Sequence, residues 1–370
     1  MTSSVLTIGI DARELLGDAT GVGRYLGELV RRWAATADHS RQFLLYTPQS
    51  LPVLKALTAE APVRQVVVGS GSGTWWEQTH LRRAVRADAP DVFFAPAYTA
   101  PLALRLPLVV TIHDVSFAAH PEWFTPREGA RRRLLTRQAA RSADLILTDS
   151  EFSRREIVDR LSASPDRLQV IPPGVTRRSK GSGTVPSREP VVLFVGSIFN
   201  RRRLPETIVA FAEATVRRRD ARLIIVGSDR TYPPLHLDQL AEAAGVAERV
   251  EVREYVDEPE LEALYQRASV FVFLSDYEGF GLTPLEALSA AVPIVVMDTA
   301  ISREVYGEAA WYVDPKDAVR GASKAIATLL DDPQSAQAFL ARAPALLERY
   351  SWDAAAAQTL AAIERVGGRT

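Results

Sequence analysis

Short apolar runs of four to eight residues, rich in Val and Ile, recur along this chain at Leu106 to Ile112, Val191 to Val195, Val270 to Leu274 and Val292 to Met297, separated by longer amphipathic stretches. Unbroken apolar runs of that length suit strands buried on both faces of a parallel sheet, and the amphipathic stretches between them suit crossover helices. In the first half the pattern predicts strands at Leu6 to Asp11, Phe43 to Tyr46, Val63 to Val68, Val92 to Ala95, Leu108 to Ile112 and Leu145 to Thr148, with a helix from about Tyr25 to Ala37. In the second half it predicts strands at Val191 to Val195, Arg222 to Val226, Val250 to Arg253, Val270 to Leu274 and Val292 to Val296. Helices are expected at Pro205 to Arg218, Leu235 to Ala244, Glu258 to Ala268, Pro284 to Ala291, Asp317 to Leu330 and Trp352 to about Val366. Alternation of this kind means βαβ units and doubly wound sheets.

Between the halves, Pro172 to Pro190 loses all periodicity and gathers Pro, Gly, Ser and charge. It reads as a linker at residues 173–190 between a domain at 1–172 and a domain at 191–350, with a closing helix at 351–370. Two such domains would place ligands in a cleft at the carboxyl ends of their strands. Val5 to Ile10 follows Met1-Thr-Ser-Ser with no cationic segment or cleavage site, so it reads as a first strand and not as a signal peptide. No apolar run approaches the roughly twenty residues that span a bilayer.

Composition changes this picture little. The 370 residues carry 44 Lys plus Arg against 45 Asp plus Glu, which argues against a protein that coats duplex nucleic acid. There is no cysteine, hence no disulfide, thiolate metal site or thiol nucleophile. Only Lys55, Lys180, Lys316 and Lys324 are lysines, an arginine bias best explained by genome composition. Cations gather locally, at Arg201 to Arg203 and along Arg127, Arg131, Arg132, Arg133, Arg137 and Arg141. Such a run is usually a solvated face, and next to a lipid-linked substrate it would meet anionic headgroups.

The densest chemistry lies in Glu278-Gly279-Phe280-Gly281-Leu282-Thr283-Pro284-Leu285-Glu286, directly after an apolar strand and at an expected helix start. Glycines here let backbone amides approach a ligand, and a helix N-terminus favours an anion. The spacing of Glu278 and Glu286 alone fits sugar recognition and a plain Gly-rich turn equally well. Three consecutive arginines at a second helix start, Arg201 to Arg203, oppose the helix dipole unless an anion joins them. Gly21-Val22-Gly23 lacks the third glycine of a dinucleotide fingerprint and lies far beyond the first strand, which disfavours a nicotinamide oxidoreductase.

The stretch Ser275 to Leu288 (SDYEGFGLTPLEAL) resembles the E-x7-E motif of retaining GT-B glycosyltransferases of family 4. Phe194 to Leu204, Thr111 to Phe117 and Asp11 to Tyr25 resemble that family's phosphate, histidine and glycine-loop segments in the expected order. The likeness is strongest to the subgroup of O-antigen mannosyltransferase B. It implies an α/β GT-B architecture of two Rossmann-like domains facing each other across a cleft, the closing helix returning to the N-terminal domain.

The resemblance assigns Glu278 to the donor sugar's hydroxyls, Glu286 to the ribose, and the backbone around Gly279, Phe280, Gly281, Leu282 and Thr283 to the diphosphate. Arg201 and Arg202 fall on the family's phosphate Arg and Lys, and Arg203 replaces its usual Asn. Tyr255 and Val256 would read the base, Gly21 and Gly23 would belong to a phosphate and acceptor loop, and His113 would touch the donor sugar or the acceptor. Ser150 is expected to cap a helix, and Trp75 and Trp76 to pack in the core behind a Thr74 cap.

The activity implied is retaining transfer of a sugar, mannose from GDP-mannose foremost, to a glycan or lipid-linked hydroxyl by a cytoplasmic enzyme that visits the inner membrane face. No cofactor is implied. No Asp-x-Asp pair occurs in the sequence, so metal independence is expected as well. A sugar-nucleotide-binding protein without transferase activity, or a GT-B-like phosphorylase or epimerase, shares the same motifs.

Overall fold

The computed structural model describes residues 5–16, 21–36, 40–51, 62–178 and 188–368. Residues 17–20 of the glycine-bearing segment, Ala37 of the expected first helix, linker positions 179–187 and the last two residues of the closing helix lie outside the described set. The chain forms two compact units. One comprises Met1–Ala119, Arg127–Gly174 and Ser351–Thr370, the other His120–Pro126 and Val175–Tyr350.

The first unit holds a seven-stranded, all-parallel sheet of β1 (Leu6–Asp11), β2 (Arg41–Thr47), β3 (Val63–Val67), β4 (Val92–Ala95), β5 (Leu108–Thr111), β6 (Leu145–Thr148) and β7 (Leu168–Val170), in the order β3-β2-β1-β4-β5-β6-β7. Pairing is in register from Leu6 opposite Arg41 on one side of β1 and Ile8 opposite Val92 on the other. The strand order reverses at β1, which makes the ends of β1 and β4 the switch point where such sheets bind ligands. The helix Gly21–Ala35 buries Tyr25, Leu26, Leu29, Val30 and Trp33 along one face, and Trp33 stacks on Phe43 of β2 at 5.7 Å. The closing helix Trp352–Gly367 packs on that same core through Ala355, Ala356, Ala362, Ile363 and Val366. Trp33 donates its indole N–H to the Ala356 carbonyl at 2.9 Å, and Ser351 caps the helix by accepting from the Ala354 N–H.

In the second unit, β8 (Val191–Val195), β9 (Arg222–Val226), β10 (Val250–Arg253), β11 (Val270–Phe273), β12 (Ile294–Met297) and β13 (Ala310–Val313) form a parallel sheet ordered β10-β9-β8-β11-β12-β13. Its switch point lies between β8 and β11. The segments that follow these two strands carry Arg201, Arg202 and Glu278.

Several boundaries differ from the sequence reading for identifiable reasons. The helix expected from Pro284 runs Leu282–Ser289, because Gly281 takes a left-handed φ of 92° and caps it two residues earlier. The helix expected from Tyr25 begins at Gly21, which places both loop glycines inside its first turn. The helix Leu204–Ala214 ends short of Arg218, where the Thr215 hydroxyl donates back to the Phe211 carbonyl at 2.7 Å. Strands β7 and β13 and the helix Ala300–Tyr306 were not predicted. Both strands are short sheet edges, and β13 offers two half-buried aromatics in place of an aliphatic run.

The linker reading is corrected at both ends. Arg178 is buried within the second unit, and Arg188 donates to the Ala290 and Ala291 carbonyls at 2.8 and 2.9 Å. Thr74 is not a cap either, since the helix Gly73–Trp76 starts one residue before it. Trp76 is buried there while Trp75 is 63 % exposed. Ser150 caps the helix Glu151–Leu161 as expected, accepting from the Ser153 N–H at 3.0 Å.

Candidate functional site

The loop between β8 and the helix Leu204–Ala214 is built to deliver two guanidinium groups to one carboxylate. Gly227 at the end of β9 donates to the Arg253 carbonyl, Gly196 donates to the Val226 carbonyl at 2.8 Å, and a short turn Asn200–Arg202 follows. Arg202 donates through Nη1 to the Ser197 carbonyl at 2.7 Å, which anchors it inside its own loop. Its guanidinium lies 4.9 Å over the Phe273 ring, and that of Arg201 lies 4.3 Å over Phe199. Aromatic faces of this kind hold an arginine in place without consuming its N–H groups.

Glu278 arrives from β11 through Leu274 to Tyr277. Its Oε1 accepts from Arg202 Nε at 2.9 Å and from Ser275 Oγ at 2.9 Å, and Arg201 Nη2 stands 3.5 Å from Oε2. Burial alone would raise the carboxyl, but Arg202 and Arg201 outweigh it and hold Glu278 at about 2. It is therefore a permanent anion at neutral pH, a good hydrogen-bond acceptor and a poor proton donor. Two guanidinium groups thus converge on one carboxylate, with Arg201 and Glu278 buried and Arg202 nearly so. Such a pair of guanidinium groups can also bind a phosphate through charge-assisted hydrogen bonds.

Just after Glu278, Gly281 stands where a side chain would collide with the Tyr306 hydroxyl, which donates to the Gly281 carbonyl at 3.0 Å. The first turn of the helix Leu282–Ser289 therefore opens directly behind Glu278, with the Leu282 and Thr283 N–H groups at its start. Four residues into this helix, Glu286 is 2 % exposed and accepts through Oε2 from Arg178 Nη2 at 3.1 Å and from the Tyr265 hydroxyl at 3.2 Å. Tyr255 is 60 % exposed and Val256 is buried, directly before Asp257, which caps the helix Glu258–Arg267. Arg203 does not join the phosphate candidates. It takes a left-handed φ of 44° as the helix cap, and its Nε is bound to Asp276 Oδ2 at 2.7 Å. An Asn would tolerate that backbone region better than Arg does.

The remaining predicted residues, Gly21, Gly23 and His113, belong to the first unit. His113 follows β5 with Nδ1 2.8 Å from Asp149 Oδ2 and Nε2 3.0 Å from the Pro96 carbonyl. Both partners offer acceptor oxygens, an arrangement that a doubly protonated ring satisfies. Burial opposes the charge, yet Asp149 more than compensates and raises the pKa. The sugar or acceptor contact expected of His113 would require one of these bonds to break.

At the end of β1, Asp11 and Glu77 share Arg13, with Arg13 Nη2 3.0 Å from Asp11 Oδ2 and also bonded to Glu77. Burial lifts Asp11 to about 6, against the pull of Arg13. Sequence reasoning missed this cluster, and it missed Arg178, Ser275, Tyr265 and Tyr306 in the second unit. Ser275, Asp11 and Arg13 lie inside stretches that the motifs single out, while Glu77, Arg178, Tyr265 and Tyr306 lie outside them.

The geometry can be set beside known proteins. The family model described as glycosyl transferases group 1 matches residues 175–345, and the model described as glycosyltransferase family 4 matches residues 19–178. The chain is 28% identical over 375 residues to O-antigen chain mannosyltransferase B of Escherichia coli, covering 92% of this chain and 95% of that protein. It is 30% identical over 380 residues to D-inositol 3-phosphate glycosyltransferase of Acidothermus cellulolyticus, covering 91% and 84%. Anabaena HepE, solved in complex with UDP and glucose, superposes with a TM-score of 0.71 at 18% identity over 97% of this chain and 99% of that one.

Proposed function

This chain belongs to the group 1, family 4 glycosyltransferases and has their GT-B fold of two Rossmann-like domains, and we propose that it transfers a sugar from a nucleoside diphosphate donor to a glycan or lipid-linked hydroxyl, with retention at the anomeric carbon. The observation that carries this reading is the convergence of Arg201 and Arg202 on Glu278 at the switch point of the second sheet, next in sequence to the helix start at Leu282.

In this mechanism the bond between C1 and the diphosphate oxygen breaks while the bond to the acceptor oxygen forms on the same face. The hydroxyl proton passes to the departing phosphate. The barrier lies in the charge that collects on the diphosphate, which Arg201, Arg202 and the Leu282 and Thr283 N–H groups neutralise, each charge-assisted bond contributing roughly 1.5–3 kcal/mol. Glu278 accepts hydrogen bonds from the sugar's hydroxyls, a role its low pKa suits and one that leaves it ionised throughout. Glu286 holds the ribose, and the backbone at Tyr255 and Val256 meets the base. Arginine already performs the duty a divalent ion has in transferases with an Asp-x-Asp pair, so the reaction needs no metal.

Likeness to mannosyltransferase B favours GDP-mannose as donor. The UDP and glucose bound by HepE name the competitor. Exposed Arg127, Arg131, Arg137 and Arg141, together with a Leu134 that is 69 % exposed, would face the headgroups around a lipid-linked acceptor. No helix among the described residues is long and apolar enough to cross a membrane.

A thermal-shift screen against GDP-, UDP- and TDP-sugars tests the proposal. One series should raise Tm, since a ligand at a hundred times its Kd stabilises the native state by about 2.7 kcal/mol. EDTA should leave both that shift and the turnover unchanged. A screen in which no sugar nucleotide binds, or a strict requirement for a divalent ion, contradicts the proposal.

A further inference from the structure

Arg178 sits just past the point where the chain enters the second unit, in a stretch whose Pro and Gly content gives no hint of a buried charge. Its side chain is 1% exposed. Nη2 donates to Glu286 Oε2 at 3.1 Å, Nη1 donates to the Glu258 carboxylate, and Glu262 stands 4.0 Å away. The guanidinium lies 5.0 Å over the Tyr265 ring, and the hydroxyl of that tyrosine donates to the same Glu286 oxygen at 3.2 Å. The Arg178 backbone N–H donates to Ser289 Oγ at 3.0 Å, less than one turn beyond Glu286 on its helix. One planar fork thus ties two carboxylates from two different helices, and Tyr265 and Ser289 fix it from both sides.

We propose that Arg178 is a positioning residue for nucleoside recognition. Held at Oε2 by Arg178 and Tyr265, the Glu286 carboxylate keeps one orientation toward the vicinal hydroxyls of a ribose. Through Glu258 the same guanidinium anchors the start of the helix that follows Tyr255 and Val256, so the ribose and base contacts are set against each other by one side chain. This rests on the reading of Glu286 as the ribose ligand. A lysine has a single ammonium and no fork, so it can serve one carboxylate but not both in this geometry.

The test measures binding of UDP and GDP and of their 2′-deoxy counterparts by titration calorimetry to the full chain and to its R178M, R178K and E258Q variants. The wild type should prefer the ribonucleotide by about tenfold or more, the equivalent of one hydrogen bond to a charged group. R178M should lose that preference to within about twofold and R178K should keep an intermediate ratio, since each weakens the hold on Glu286 directly, and E258Q should show a reduced ratio because it loosens the helix that carries Tyr265, the second donor to Glu286. Should R178M fail to fold, R178K and E258Q decide the matter through the same ratio. If variants bind both nucleotides more weakly but with the wild-type ratio intact, Arg178 is merely structural and the proposal is overturned. If the wild type itself does not distinguish ribose from deoxyribose, the assignment of Glu286 falls first and this proposal falls with it.

Discussion

Replacing Glu278 with Gln is expected to reduce turnover by about a hundredfold to a thousandfold while the protein remains folded, an effect of the size seen when one charge-stabilising group is removed from an active site. The neutral amide still fills the space, but it cannot offer two anionic oxygens to sugar hydroxyls. Its NH2 group also turns a donor toward Arg202 Nε, which now donates to Oε1 at 2.9 Å. Without ligand the variant should unfold at a lower temperature, because removing one partner of a buried pair costs about 3–5 kcal/mol when the other charge stays behind. A nucleoside diphosphate should restore much of that loss by supplying the missing negative charge. Steady-state kinetics, with circular dichroism and Tm measured with and without UDP or GDP, check each part. Turnover near the wild-type value would sink the site assignment.

A comparably large effect is expected from a glycine outside the charge cluster. Gly227 has a φ of +152°, and a Cβ placed there would stand 2.1 Å from the Gly196 carbonyl oxygen and 2.6 Å from its carbon. The obstruction is backbone, so no rotamer change relieves it, and the backbone angle itself disfavours an L side chain by about 1–3 kcal/mol. Gly227→Ala should therefore lose about 3 kcal/mol or more of a stability that is only about 5–15 kcal/mol for a typical domain. The displaced strand end also carries the loop that delivers Arg201 and Arg202, so whatever folds should bind nucleotide diphosphate poorly. Gly21→Ala makes the control. A Cβ at Gly21 meets nothing within 4 Å, and its stability should be unchanged or slightly higher. Urea unfolding midpoints compare the two, and equal midpoints would show that the close approach at Gly227 carries no energy.

These two residues mark what the sequence could and could not reveal. The sequence reading matches Val191 to Val195 and Arg222 to Val226 to the residue, because buried parallel strands write themselves as aliphatic runs, and it matches Val250 to Arg253 although that edge strand alternates apolar and charged residues and is largely exposed. Strand β13 escaped, since an edge strand with Trp311 and Tyr312 half-buried needs no such run. Glu278 and its two arginines are legible because each follows a recognisable strand, and their meeting follows once β8 and β11 are neighbours in the sheet.

Arg178 was invisible for the opposite reason. Its partner Glu286 lies 108 positions away, and the local Pro and Gly content argued for an exposed linker. Arg203 was misjudged because three adjacent arginines look alike as letters. Its left-handed backbone turns the third toward Asp276, away from the carboxylate that holds the other two.

In the proposed reaction the arginine cluster and helix start of the second unit stabilise a departing nucleoside diphosphate while the sugar moves to the acceptor on the same face. Proton NMR of the product made from the donor identified in the nucleotide screen tests it most directly. One nucleoside diphosphate should be released for each sugar transferred, and the one-bond coupling between the anomeric carbon and its proton should show the donor's configuration kept. A product of inverted configuration would contradict it.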